Sequence, residues 1–101
     1  MEKQTHRVGK RKNAIARVYL RSRASEVGVI RVNGRAFEDY FPRPASRLII
    51  MQVLELTSTV GRFDVHVNVR GGGVSGQAGA VKHGIAKALL EVDPAFRPAL
   101  K

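Results

Sequence analysis

The sequence has no cysteine, which removes disulfides, thiolate zinc sites and cysteine nucleophiles and suits a reducing cytosol. It has no apolar run near the roughly 18 residues of a membrane span, so no membrane-spanning segment is expected. The opening stretch MEKQTHRVGKRKN has no apolar centre and does not read as a secretory signal. Acidic residues are scarce, with eight Asp and Glu against 18 Lys and Arg. The three histidines, His6, His66 and His83, have neither metal-ligand spacing nor clustered acids, so no metal site is expected.

What remains is a basic chain of ordinary apolar content. The net charge is +10 and it is uneven: residues 1–35 hold ten basic and two acidic residues (+8), residues 36–101 eight and six (+2). Solubility requires no such asymmetry, so the expected partner is a polyanion, nucleic acid before an anionic membrane surface. At 101 residues and 44% hydrophobic, the chain reads as one domain over residues 1–101 with a buried core.

The stretch Arg62–Asp93 organises the rest. Phe63, Val65, Val67 and Val69 alternate with Asp64, His66, Asn68 and Arg70, which predicts a strand with one buried and one wet face. After Gly71-Gly72-Gly73 the period changes, and Val74, Ala78, Val81, Ile85, Ala88, Leu89 and Val92 form one helical stripe that closes at Asp93-Pro94. Glycines let another molecule approach, and a helix N-terminus presents unpaired N–H groups, so the loop is a candidate phosphate site. Arg70 precedes it, Ser75 and Gln77 lie within it, and Lys82 and His83 follow. The plainer alternative is that the glycines only permit tight packing.

Upstream, Met1–His6 is expected to be a frayed, extended end, and Arg7 to Lys12 a basic turn, with a short edge strand as an option at its start. Asn13–Arg21 predicts a strand. Ala14, Ala16, Val18 and Leu20 fall on one face, and the small alanines imply a helix packed close above. Ile15, Arg17, Tyr19 and Arg21 fall on the other, pairing charge for phosphate with a ring for a base or sugar. A solvated outer face is the competing account. Ser22–Glu26 reads as a loop and Val27–Val32 as a strand. Asn33-Gly34 is a turn, after which a helical turn is expected rather than a returning strand, with Phe37, Tyr40 and Phe41 plugging the core. Ser46–Thr59 reads as a helix with Ser46 as N-cap and Ile49, Val53, Leu56 and Val60 as its main stripe. Ala95–Lys101, with its second proline, is expected to be an extended tail. The order predicts an α+β fold, a two-layer mixed β-sheet with helices on one face.

Several motifs fail on context. Gly71-x-Gly73-x-x-Gly76 matches a dinucleotide fingerprint, but no second parallel strand follows the helix. Gln77-Ala78 stands where a P-loop needs lysine and a hydroxyl. Asp64, His66 and Ser75 lack a nucleophile elbow. No catalytic residue, cofactor or metal is assigned.

Gly9-Lys10-Arg11-Lys12-x-Ala14-x-Ala16-Arg17-Val18-x-Leu20, Val32-Asn33-Gly34 and Tyr40-Phe41 resemble the N-terminal half of the bacterial form of ribosomal protein S-nine of the small subunit. Gly71-Gly72-Gly73-x-x-Gly76-Gln77-x-x-Ala80-x-x-x-Gly84-Ile85-Ala86-Lys87-Ala88-Leu89 resembles that family's signature. The resemblance covers nearly the whole chain. It implies a structural, non-enzymatic, cytoplasmic constituent of the ribosome that binds the head (3′ major) domain of small-subunit rRNA beside neighbouring ribosomal proteins. It implies a fold like the second domain of ribosomal protein S-five, with a left-handed βαβ crossover. It makes Arg7, Lys10, Arg11, Lys12, Arg17, Arg21, Arg70, Gly71, Gly72, Gly73, Ser75, Gln77, Lys82 and His83 the rRNA-contact candidates. Family members continue in a basic tail that reaches the P-site tRNA; these residues stop at Lys101, so tRNA contact is not expected of them. Two other readings stay open: a ribonuclease P protein-like RNA-binding cofactor, and a small nucleotide-binding enzyme using the glycine loop.

Overall fold

A computed structural model describes residues 4–22 and 28–100. Its centre is a five-stranded sheet of strand order β1-β2-β5-β3-β4: β1 (Gln4–Arg11), β2 (Ala14–Ser22), β3 (Ile30–Val32), β4 (Arg35–Ala36) and β5 (Phe63–Arg70). The β1/β2, β2/β5 and β3/β4 pairs are antiparallel, and β3/β5 is parallel. Helices α1 (Phe37–Tyr40), α2 (Pro44–Leu56), α3 (Val74–Val92) and α4 (Arg97–Leu100) complete the fold, with a 3₁₀ turn at Pro94–Phe96. The expected mixed sheet, with helices on one face, is what the chain forms.

Both hairpins turn on two residues of positive φ, Lys12 and Asn13 (48° and 69°) and Asn33 and Gly34 (52° and 77°). That geometry matches the right-handed twist of the flanking strands. Around the first, Lys12 is in the turn as expected, but Gln4–Arg11 form an eight-residue edge strand in place of a frayed end and a short strand; residues 1–3 lie outside the described residues. Of the strand's inward positions, Thr5 and Gly9 are buried and Arg7 and Arg11 are exposed at the edge of α3, so a hydrophobic period never marks it. The second hairpin carries a short returning strand, β4, before the helical turn that was expected alone. Of the strand expected at Val27–Val32, Ile30–Val32 is strand, Gly28 and Val29 precede it, and Val27 lies outside the described residues, as does most of the Ser22–Glu26 loop.

The core lies between the sheet and α2 and α3. Ala14, Ala16 and Val18 are fully buried beneath α3, whose Ala78, Ala80, Val81, Ile85, Ala88 and Leu89 are equally buried. Contact is closest at β1. A Cβ placed on Gly9 would lie 2.1 Å from the Ala80 carbonyl oxygen and 2.3 Å from the Gly84 nitrogen, so strand and helix meet backbone to backbone. Phe37 and Phe41 fill the core's other end with Tyr40 half-buried beside them, as expected.

Two helical readings need correction. α2 starts at Pro44, with Arg43 rather than Ser46 at the cap, because a proline at the first helical position gives up an N–H that has no partner there anyway. Its buried face is Ser46, Ile50, Val53 and Leu54, whereas Ile49, Leu56 and Val60 are 37%, 54% and 50% exposed. A helix apolar nearly all round cannot announce which stripe faces inward. It ends at Leu56, where Ser58 (φ 55°) turns left-handed and Thr59 N–H returns to the Leu54 carbonyl. The second correction is the tail, whose described residues, 95–100, are helical rather than extended. Asp93 accepts from Ala95 N–H at 2.9 Å, and Pro94 and Pro98 both sit in first turns where proline is tolerated. Phe96 and Leu100 fold back against the core.

Candidate nucleic-acid interface

The sheet face away from α2 and α3 carries four rows of side chains set by the strand register. They are Gln4–Arg21–Asp64, His6–Tyr19–His66–Arg31, Val8–Arg17–Asn68 and Lys10–Ile15–Arg70. The alternation in β2 and β5 placed Arg17, Tyr19, Arg21, Asp64, His66, Asn68 and Arg70 together here. The register adds His6 and places Arg31 on the same face. Tyr19 is not an open platform on both sides, because His6 stacks on it with ring centroids 4.4 Å apart and planes 7° from parallel. Arg21 is tied to Gln4 at 2.7 Å.

A second basic surface forms at one end of the molecule, where the Lys12-Asn13 turn packs against the glycine loop. A Cβ on Gly71 would lie 2.5 Å from the Asn13 carbonyl oxygen, and one on Gly72 2.8 Å from that of Lys12. Both glycines have positive φ, 78° and 61°. Two of the three loop glycines, Gly71 and Gly72, thus turn the side where a Cβ would lie toward the neighbouring hairpin, while all three stay exposed. Only Gly73, the residue before α3, has open space around its Cα. Lys12 therefore stands beside the α3 N-terminus, where backbone N–H groups lack helical partners.

The remaining candidates divide between the two layers. Lys10, Arg17, Arg21 and Arg70 are on the open sheet face. Arg7 and Arg11 alternate with Lys10 and so face the helices: Arg7 pairs with Glu91, and the Arg11 side chain runs across Gly79. Lys82 and His83 are exposed on α3. Of Ser75, only the backbone is described. The candidates thus form no single flat patch; the basic hairpin end joins the two sides.

Gln77 is committed inside the protein. Its Nε2 donates to the Gly71 carbonyl at 3.1 Å, and its Oε1 accepts from the Tyr40 hydroxyl at 2.9 Å. Tyr40 in turn accepts from Asn33 Nδ2 at 3.3 Å. Asn33 brackets Val69, accepting from its N–H at 2.8 Å and donating to its carbonyl at 3.0 Å. A side-chain amide thereby continues the parallel β3/β5 ladder past Val32, where the backbone turns away. Four elements are linked to the glycine loop by this chain of polar groups. Spacing in the sequence carried no sign of it.

A family model for ribosomal protein S9/S16 matches residues 9–101. The chain belongs to that family. Among similar proteins is the small ribosomal subunit protein uS9 of Maridesulfovibrio salexigens, 54% identical over 93 residues, which are 92% of this chain and 69% of that protein. Members of the S9/S16 family are structural, non-enzymatic components of the small subunit of the cytoplasmic ribosome, with rRNA and ribosomal proteins as partners. The nucleotide-enzyme and ribonuclease P readings give way to that assignment. Within the family frame, Asn33, Tyr40, Gln77 and the glycines form one connected support rather than separate contacts.

Proposed function

We propose that this S9/S16 member binds and stabilises the head (3′ major) domain of small-subunit rRNA through its basic hairpin end. The observation that carries the reading is the seating of Lys12 and its turn against Gly71–Gly72, beside the open Gly73 and the α3 N-terminus. Lys10, Arg11, Lys12 and Arg70 cluster around that end. Phosphates approach the first turn of α3, and the surrounding cations release counterions. Arg17 extends the contact along the sheet, and Lys82 and His83 extend it along α3. Gln77 and Arg7 act through other groups, the first by holding the loop and the second by holding β1 to α3.

The test is a salt titration by fluorescence anisotropy, with the rRNA head domain and an unrelated folded RNA of equal length. Tighter binding of the head domain, falling steeply with salt, is the expected result. Equal affinity for both RNAs overturns the specific part of the reading. Binding without salt dependence overturns its electrostatic part.

A further inference from the structure

We infer that a recess on the open sheet face, between Arg17, Asn68 and Arg70, holds one unpaired nucleotide of the bound RNA. The inference rests on the RNA-binding reading above and deepens it. The recess has a volume of about 370 Å³ and is lined by Ile15, Arg17, Asn33, Asn68, Val69 and Arg70. It follows from unequal strand lengths. β5 runs eight residues to Arg70, while β3 has only three and its last partner is Val67. Beyond that point the sheet is indented, and the Asn33 side chain bonds the backbone of Val69 at the notch.

The chemistry of the lining selects the occupant. Arg17 lies opposite Asn68 and Arg70 opposite Ile15, so the two arginines are diagonal neighbours on one face. Like charges at that spacing repel, and no carboxylate lines the recess. Unlike Arg21 and Arg7, neither guanidinium makes a hydrogen bond or ion pair among the described residues, and Lys10 stands in the Arg70 row on the far side of Ile15. This arrangement suits a phosphodiester set between two forks. A bare phosphate would leave the rest unused. Half-buried Ile15 offers an apolar wall, and the Asn68 amide, with no partner among the described residues, offers a donor and an acceptor to a base edge. A base in an A-form duplex cannot enter such a recess, so the nucleotide must be unpaired.

The test uses the intact 101-residue chain, ¹⁵N-labelled, with three probes: a short unstructured oligoribonucleotide, a hairpin duplex and inorganic phosphate. The oligonucleotide is expected to shift the amides of Ile15, Arg17, Asn68 and Arg70, including the Asn68 side chain, and the other two probes are not. Asn68→Leu fills the recess without changing charge. It should weaken oligonucleotide binding roughly tenfold while leaving the salt slope intact, whereas Arg17→Gln or Arg70→Gln should lower that slope by about 0.7 each. Asn68→Asp, which sets an acid between the guanidiniums, should weaken binding further. Unchanged oligonucleotide binding by Asn68→Leu, or the same shifts with phosphate or duplex, overturns the inference. Displacement of the oligonucleotide from these residues by a short acidic peptide with higher affinity would overturn it in favour of a protein partner. If head-domain RNA still binds in those cases, only the recess assignment falls; if the wild-type chain binds no RNA, the functional reading falls with it.

Discussion

The Tyr40 hydroxyl donates to Gln77 Oε1 across 37 residues of sequence, and the same amide reaches the Gly71 carbonyl. One phenol therefore connects the end of α1 to the glycine loop. Tyr40→Phe keeps the ring against Phe41 and removes only the oxygen. We expect a loss of about 1–2 kcal/mol in urea unfolding, because Asn33 and Gln77 each lose a partner. Amide exchange at Gly71 to Gly73 should quicken as well. Tyr40→Phe combined with Gln77→Leu should cost less than the sum of the two, since both act on one chain of bonds. Full additivity would show that the groups are not coupled.

The contact between β1 and α3 leads to a second expectation. Gly9→Ala puts a methyl group into the backbone of Ala80 and Gly84, where no flexible side chain can yield. It should cost about 3 kcal/mol or more, visible as a lowered Tm. Gly34→Ala is the control: nothing lies within 4 Å of the added atom, and only the 77° φ opposes it. A cost of about 1–2 kcal/mol is expected there.

Lys12 and Arg7 should separate binding from scaffolding. Lys12→Ala should leave the Tm nearly unchanged and lower the salt slope of rRNA binding by about 0.7–0.9, the value for one phosphate. Arg7→Ala removes an exposed ion pair with Glu91, worth less than about 1 kcal/mol, and should leave the slope alone. A reversed pattern in the two titrations would move the interface to the β1–α3 edge.

The orientation of α2 can be checked directly. Ile50 is fully buried and Leu56 is 54% exposed. Ile50→Ala should cost about 2–5 kcal/mol in denaturant unfolding, and Leu56→Ala well under 1 kcal/mol. Similar costs would mean that the helix is turned the other way.

The contrast between α2 and β5 shows what the sequence made legible. In β5 the apolar and polar positions alternate strictly, so the sheet's two faces, and Arg70 on the wet one, could be read before any coordinates. Along α2 the residues from Leu48 to Leu54 are apolar at almost every position, and the inward stripe was misread. β1 was hidden for the opposite reason, since its buried positions are Thr5 and Gly9, which bury backbone rather than hydrocarbon. At the candidate site, the arginines and the glycine loop were visible as residue types. Their division between two layers was not, because Arg7 and Arg11 are placed by the register of a strand that the hydrophobic pattern did not reveal. Nor was the commitment of Gln77, which depends on Tyr40 and Asn33 arriving from distant segments.

The seam between β1 and α3 also bears on the order in which the chain acquires structure. Lys87 Nζ donates to the Val8 carbonyl across 79 residues, and Arg7 meets Glu91 across 84. During synthesis, β1 leaves the exit tunnel well before α3 and meets Lys87 only after 79 further residues have followed Val8. Until then β1 can hydrogen-bond to β2, but it has no helix above it, and Gly9 is bare to water. Loop closure over such separations is slow, and an uncovered hairpin is open to pairing with other strands. The many cations of residues 1–35 repel copies of one another throughout that interval. The charge suited to RNA therefore also keeps nascent chains apart while they wait for α3.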